Sequence, residues 1–202
     1  WENKLTNLPE SIGNLENLKK LDLFSNKLKQ LPESIGNLKS LKELYLDNNK
    51  LKKLPKSFGE LKNLEDLELS INKLTKLPKS IGNLENLKKL DLSDNKLTAL
   101  PESIGNLENL KDLELWKNEL TSLPKSFNKI TNFRYLNIHG NPVAEKYKNS
   151  EELCNTFQND EAIRPYLDIV NDLTKDENLL VKLCVNQDNC DLLEAYCEGG
   201  KQ

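Results

Sequence analysis

Apolar positions in this chain follow two spacings that alternate at a fixed interval. In residues 31–53, LPESIGNLKSLKELYLDNNKLKK, Leu44 and Leu46 flank an outward residue, a period of two that predicts a short strand with one buried face. Upstream, Ile35, Leu38 and Leu41 recur every third residue, which suits a short helix or 3-10 segment on the opposite side of a coil. Pro32 fits the first position of that segment, where its missing N–H costs nothing. Gly36 lies inside it and returns as Gly13, Gly59, Gly82 and Gly105, a place that needs close packing or a turn.

The whole unit recurs every 23 residues. Leu-Pro opens it at Leu8, Leu31, Leu54, Leu77, Leu100 and Leu123, and residues 15–28 and 84–97 differ only where Phe24-Ser25 becomes Ser93-Asp94. A fixed period of this length predicts a solenoid of stacked coils, each contacting only its neighbours. The register holds to Pro142 and then decays, with Asn128 in the glycine place and Phe133 in a leucine place. Trp1 falls on the position equivalent to Phe24, inside a unit, so the reading expects chain ahead of it.

One polar residue is kept among the leucines: Asn26, Asn49, Asn72, Asn95, Asn118 and Asn141, preceded by Asn3. A buried amide needs partners, and asparagine carries both donors and an acceptor for the backbone of its own coil and the next. This column is expected to be structural.

The motif Leu-x-x-Leu-x-Leu-x-x-Asn-x-Leu, as in residues 41–51, together with Leu-Pro-x-x-Ile-Gly-x-Leu, resembles the leucine-rich repeat family. The 23-residue subtype is similar to that of bacterial leucine-rich repeat proteins and of intracellular Ras-group proteins. The resemblance covers about residues 1–143. It implies an α/β solenoid, curved, with a parallel sheet on its concave face. It also implies protein binding without a cofactor. Some bacterial members carry a cysteine-dependent ubiquitin ligase after the repeats. That enzyme's Cys-x-Asp motif is absent here, and the sole histidine, His139, lies on the last repeat, so no catalysis is expected.

With the leucines pointing inward, the second, third, fifth, seventh and eighth motif positions face outward, and these are the ones that vary. The third-position column, Lys20, Glu43, Asp66, Lys89, Asp112 and Tyr135, largely alternates in sign and can neutralise itself across strands. The second is mostly basic. The fifth holds Glu68, Asp91 and Glu114 in succession, a run of like charge that the scaffold does not need. Large outward apolar residues are few. Phe24 and Tyr45 stand on adjacent strands, Trp116, Tyr135 and His139 gather on the last two, and Ile71 lies between. Aromatic side chains of this kind anchor protein interfaces. The expected function is therefore a non-catalytic interaction module. Its concave face would bind a protein partner with a basic surface, through Trp116, Tyr135 and His139 beside an acidic rail of Glu68, Asp91 and Glu114. Two alternatives stand beside it. One is a surface spacer of adhesin type with no defined ligand; the other is the recognition part of a larger signalling or effector protein.

Charge marks the boundary. The chain has a net charge of −3, but residues 1–143 carry +4 and residues 144–202 carry −7. The positive charge is spread out, so nucleic acid is not an expected partner. No apolar run reaches the length of a membrane span. Residues 144–202 form the expected second region. Their apolar spacing turns helical, Thr174-Lys-Asp-Glu177 reads as a capping box before Leu179, Leu180, Leu183 and Cys184, and about four short helices are predicted. Such a region would cover the last coil as a small α-helical cap. All four cysteines, Cys154, Cys184, Cys190 and Cys197, lie there. They lack Cys-x-x-Cys spacing, so zinc is not expected, and buried free thiols or two disulfides of any of three connectivities remain open. The compartment is unassigned, with a secreted or cell-surface setting favoured over the cytoplasm.

Overall fold

The computed structural model describes residues 3–130, 134–147 and 182–184. Each unit contributes one three-residue strand: β1 (Lys20–Asp22), β2 (Glu43–Tyr45), β3 (Asp66–Glu68), β4 (Lys89–Asp91), β5 (Asp112–Glu114) and β6 (Tyr135–Asn137). All pair in parallel in chain order, and the register advances one unit per strand, so Leu21, Leu44, Leu67, Leu90, Leu113 and Leu136 stand in one row. Between strands the chain crosses the far side in 3-10 segments, from Glu10–Asn14 to Lys125–Lys129, with a last one at Pro142–Tyr147.

Each segment starts for a local reason. Pro32 has φ −70° and ψ 154°, an extended N-cap one residue ahead of the helical segment rather than its first helical residue. Its carbonyl accepts the Ile35 N–H, and the three-residue bonding continues from Leu38 to Ile35 and from Leu41 to Leu38. Ile35, Leu38 and Leu41 thereby turn inward and are fully buried, as are their equivalents in the next three units. The core is one continuous column of leucine, isoleucine and phenylalanine between the sheet and the 3-10 side.

The glycine column is explained by close approach. A Cβ on Gly13, Gly36, Gly59, Gly82 or Gly105 would strike the carbonyl oxygen of the serine in the next coil, from Ser34 to Ser126. Among the described glycines only Gly140 has a positive φ, so the other five hold their place by lack of bulk and not by turn geometry.

The asparagine column is buried, between 2% and 8% exposed. Asn72 shows its bonding. Its Oδ1 accepts the Leu51 N–H at 3.0 Å, and its Nδ2 donates to the carbonyls of Leu46, Leu69 and Ser70. One side chain thus ties its own coil to the one before it.

At the C-terminal end the structure departs from the sequence expectation. Lys182–Cys184 is a strand, β7, paired in parallel with β6, where the capping-box reading predicts helix through Leu183 and Cys184. An edge strand presents unpaired backbone groups along its length, and a short apolar segment that satisfies them gains more than local helix propensity offers. The other helices predicted between residues 148 and 202 lie outside the described residues, as do Cys154, Cys190 and Cys197; only the backbone of Cys184 is described. Among the described residues no helix is long and apolar enough to cross a membrane.

Candidate functional site on the sheet face

The outer face of the sheet carries the fifth- and seventh-position side chains, and each strand ends in the same turn. The eighth-position residue after each of β1 to β6 has a positive φ: Ser25, Asn48, Ile71, Asp94 and Lys117 at 49° to 53°, and Gly140 at 69°. Three fifth-position side chains brace this turn. The Phe24, Ser93 and His139 N–H groups donate to the Oδ1 atoms of Asp22, Asp91 and Asn137. Asp91, one member of the acidic rail, therefore also serves the turn.

Charge pairing on this face is only partly as the columns predict. Lys20 pairs with Glu43 at 2.7 Å within the third-position column. Lys42 and Lys88 both pair with Glu65, and this double contact holds its carboxyl down at about 2. Lys89, however, crosses columns and pairs with Glu68 at 2.7 Å instead of Asp66. Two lysines of the basic second column thus share its one acid, while the rail receives one lysine from the third.

The rail residues Glu68, Asp91 and Glu114 stand directly opposite one another on β3, β4 and β5. Glu114 accepts Asn137 Nδ2 at 3.1 Å; burial and then the Asp91 charge push its carboxyl above the usual range. Trp116 and His139 occupy neighbouring places of the seventh column, where the Lys117 N–H donates to the His139 carbonyl. The Trp116 ring is half-buried and carries the Lys117 ammonium 4.7 Å from its centre. Tyr135 sits four residues before His139, opposite Asp112, with its hydroxyl accepting from Asn137 Nδ2 at 3.2 Å. It thus meets the end of the acidic rail, and no hydrogen bond joins it to Trp116 among the described residues.

The other apolar candidates lie toward the N-terminal end. Ile71 is the most exposed of them, at 49%, and it is a β-branched residue at φ 53°. Phe24 and Tyr45 are half-buried and line an open groove of about 400 Å³ with Asp22, Asp47 and Glu68. Lys20 Nζ lies 4.5 Å from the Tyr45 ring centre, and the Tyr45 hydroxyl donates to Glu43 at 2.9 Å, which fixes the ring.

Asp22 and Asp47 are members of this cluster that the column reading does not single out. Asp47 Oδ2 is buried without a hydrogen-bond partner. Burial pushes its carboxyl up to about 6, helped by the charges of Glu68, Asp22 and Asp91 and opposed by its own backbone N–H. The signal was available: a seventh-position acid beside fifth-position acids on neighbouring strands puts like charges within a few ångströms. Among the described residues no group of side chains could hold a metal ion.

This coil matches known proteins along most of its length. The family description "leucine-rich repeat region" fits residues 1–77 and 71–190. No curated protein matches the chain. A leucine-rich repeat protein of Leptospira interrogans is 46% identical over 69% of this chain and 36% of its own, with a TM-score of 0.67. The ectodomain of the Arabidopsis thaliana membrane receptor kinase GASSHO1/SCHENGEN3, solved in complex with CASPARIAN STRIP INTEGRITY FACTOR 2, is 36% identical over 67% of this chain and 17% of its own, with a TM-score of 0.61. The complex of PEPR1 with AtPEP1 gives 35% over 67% and 20%, with a TM-score of 0.63. The chain therefore spans about a third of the length of the Leptospira protein and less of the other two. The family is commonly one of protein-interaction modules and is typically non-enzymatic. With the 23-residue unit, the single parallel sheet and the buried asparagine column in place, this chain belongs to the leucine-rich repeat family, and its sheet forms the concave face of a curved solenoid.

Proposed function

We propose that this chain is a non-catalytic protein-binding module whose concave face grips a partner with a basic surface and an apolar centre. The observation that carries the reading is the contrast between a finished scaffold and an unneeded face. Leucines, glycines and asparagines satisfy the coil, whereas Glu68, Asp91 and Glu114 set like charges opposite one another at a cost to the sheet. Trp116 and His139 lie beside the end of that rail and Tyr135 bonds into it, with Ile71, Tyr45 and Phe24 extending the apolar contacts toward β1. The solved neighbours with bound CASPARIAN STRIP INTEGRITY FACTOR 2 and AtPEP1 lend support, since each is a leucine-rich repeat chain in complex with a protein or peptide. The receptor ectodomain among them favours a secreted or surface setting.

The test uses a captured partner and titrations of wild type and Trp116→Ala at low and physiological salt. An interface anchor of this size should cost about 2 kcal/mol or more when truncated. Rim carboxylates should mainly speed association, so affinity should fall as salt rises. Equal affinity in all four titrations overturns the reading and favours a spacer with no ligand on this face.

A further inference from the structure

Resting on the protein-binding reading, we propose that the groove across β1, β2 and β3 is a subsite for one arginine side chain of the partner, with its guanidinium stacked on Tyr45 or Phe24 and bonded to Asp22, Asp47 and Glu68. The groove lies at the opposite end of the sheet from Trp116 and His139, so it defines a second point of grip.

The first argument is shape. Two aromatic side chains one strand apart line a groove of about 400 Å³ that opens to solvent. Apolar walls of this kind accept the three-carbon stem of arginine and the flat face of its head. Tyr45 already takes a cation: Lys20 Nζ sits 4.5 Å from its ring centre. The bond from its hydroxyl to Glu43 holds the ring in place before any ligand arrives.

The second argument is charge. Three carboxylates line the groove, and among the described residues the only lysine paired with any of them is Lys89, on Glu68. Lys20 is committed to Glu43, and Lys42 and Lys88 to Glu65. Among the described residues no lysine or arginine pairs with Asp22 or Asp47, so the groove keeps an excess of negative charge. One Asp47 oxygen has no donor, and its carboxyl holds a proton up to about 6 because burial and the charges of Glu68, Asp22 and Asp91 outweigh its own backbone N–H. A bound cation relieves that repulsion. Asp22 has one oxygen on the Phe24 N–H, which leaves the other for a ligand.

The third argument is selection among cations. The carboxylates are not arranged as a metal-holding group. A lysine ammonium is a strongly hydrated point charge, whereas guanidinium is weakly hydrated, flat and forked, matching ring faces and spread acceptors together.

The test titrates the ¹⁵N-labelled full chain with acetyl-Gly-Arg-Gly-amide, its lysine analogue and its citrulline analogue, followed by amide shifts. The arginine peptide should shift Phe24, Tyr45, Asp47 and Glu68 and bind about threefold tighter than the lysine peptide, with citrulline silent. Asp47→Asn and Tyr45→Ala should each weaken arginine about threefold or more, while Glu60→Gln, on the 3-10 side away from the sheet face, leaves it unchanged. Affinity should also drop as pH falls through about 6, as Asp47 takes its proton among Asp22, Glu68 and Asp91, with Lys20 and Lys89 staying charged. No shifts overturn the subsite. So do shifts equal for arginine and lysine that run on through Asp91 and Glu114, since those report a diffuse acidic surface. These outcomes leave the Trp116→Ala titrations untouched, so the subsite and the protein-binding reading can fail separately.

Discussion

Three side chains set the terms at the scale of single residues. Asn72 makes four bonds to backbone in two coils while only 8% exposed, so Asn72→Leu strands buried polar groups. Urea denaturation should show a loss of about 1–3 kcal/mol for each group left unsatisfied, and no loss would deny the column its structural role. Ile71 presents the reverse case. At φ 53° a residue with a Cβ carries about 1–2 kcal/mol of strain, and a β-branched side chain is least suited to that region. Asn48 holds the same place in the previous unit, so Ile71→Asn should raise the urea midpoint; a lowered midpoint would mean that the side chain packs where its exposure denies it. Asp47 ties stability to pH. Its folded carboxyl binds its proton up to about 6, above the ordinary 3.8, so the ionised form disfavours folding at pH values above both. Asp47→Asn should therefore stabilise the chain at pH 7–8 and give no advantage below pH 3.8, and a constant difference across that range would contradict the assignment. The asparagine column was legible in the sequence because a polar residue kept among leucines has one physical explanation. The turn at position eight was not, because serine, asparagine, isoleucine, aspartate, lysine and glycine share no side-chain signature; the fold imposes the backbone angle and each residue bears it.

Strand and 3-10 segment are the elements of this coil, and both were readable from spacing two and spacing three. What spacing alone leaves open is why the glycine stays. Gly82 sits against Ser103 with no room for a methyl group, so Gly82→Ala must push two coils apart. Overpacking of this kind costs about 1–3 kcal/mol, read as a lowered midpoint in chemical denaturation, and a neutral outcome would mean the coils are looser than they stand. Glutamate adds a second tie on the same side. Glu10, Glu33 and Glu102 accept the N–H of the serine one coil on, whereas the units that open Leu-Pro-Lys lack that acceptor. The last element shows where local reading fails. Thr174 to Cys184 has helix-start chemistry, yet Lys182–Cys184 pairs with β6 as β7. Propensity is a local quantity of a few tenths of a kcal/mol per residue, and an open sheet edge distant in sequence overrides it. Likewise, the columns of the face were legible, but the crossing of Lys89 to Glu68 depends on side-chain reach that no column predicts.

For the whole molecule, stacking makes stability nearly additive along one axis, and function depends on the distance between sites along that axis. Deleting residues 77–99 removes one complete 23-residue unit and joins Lys76 to Leu100 in the same register. β3 then meets β5, Gly59 meets Ser103 in place of Ser80, and Asn118 can donate to Leu69 in place of Leu92, so the glycine and asparagine contacts find equivalents, while Glu68 loses Lys89 and Asp112 takes that lysine's place. This deletion should leave a cooperatively folding chain, with a denaturant slope reduced in line with the surface lost. A deletion of half a unit should abolish folding, because it turns the leucine rows outward. The same whole-unit deletion bears on binding. It brings Trp116 and His139 one strand closer to the Phe24–Tyr45 groove, about 4.8 Å. A partner held at both ends of the face at once cannot follow that change without strain. Its affinity should fall at least about tenfold, on the order of 1.4 kcal/mol, even though no residue at either end has been altered. Unchanged affinity would mean that one end of the sheet does all the holding, and Trp116→Ala and Tyr45→Ala in the shortened chain would then show which.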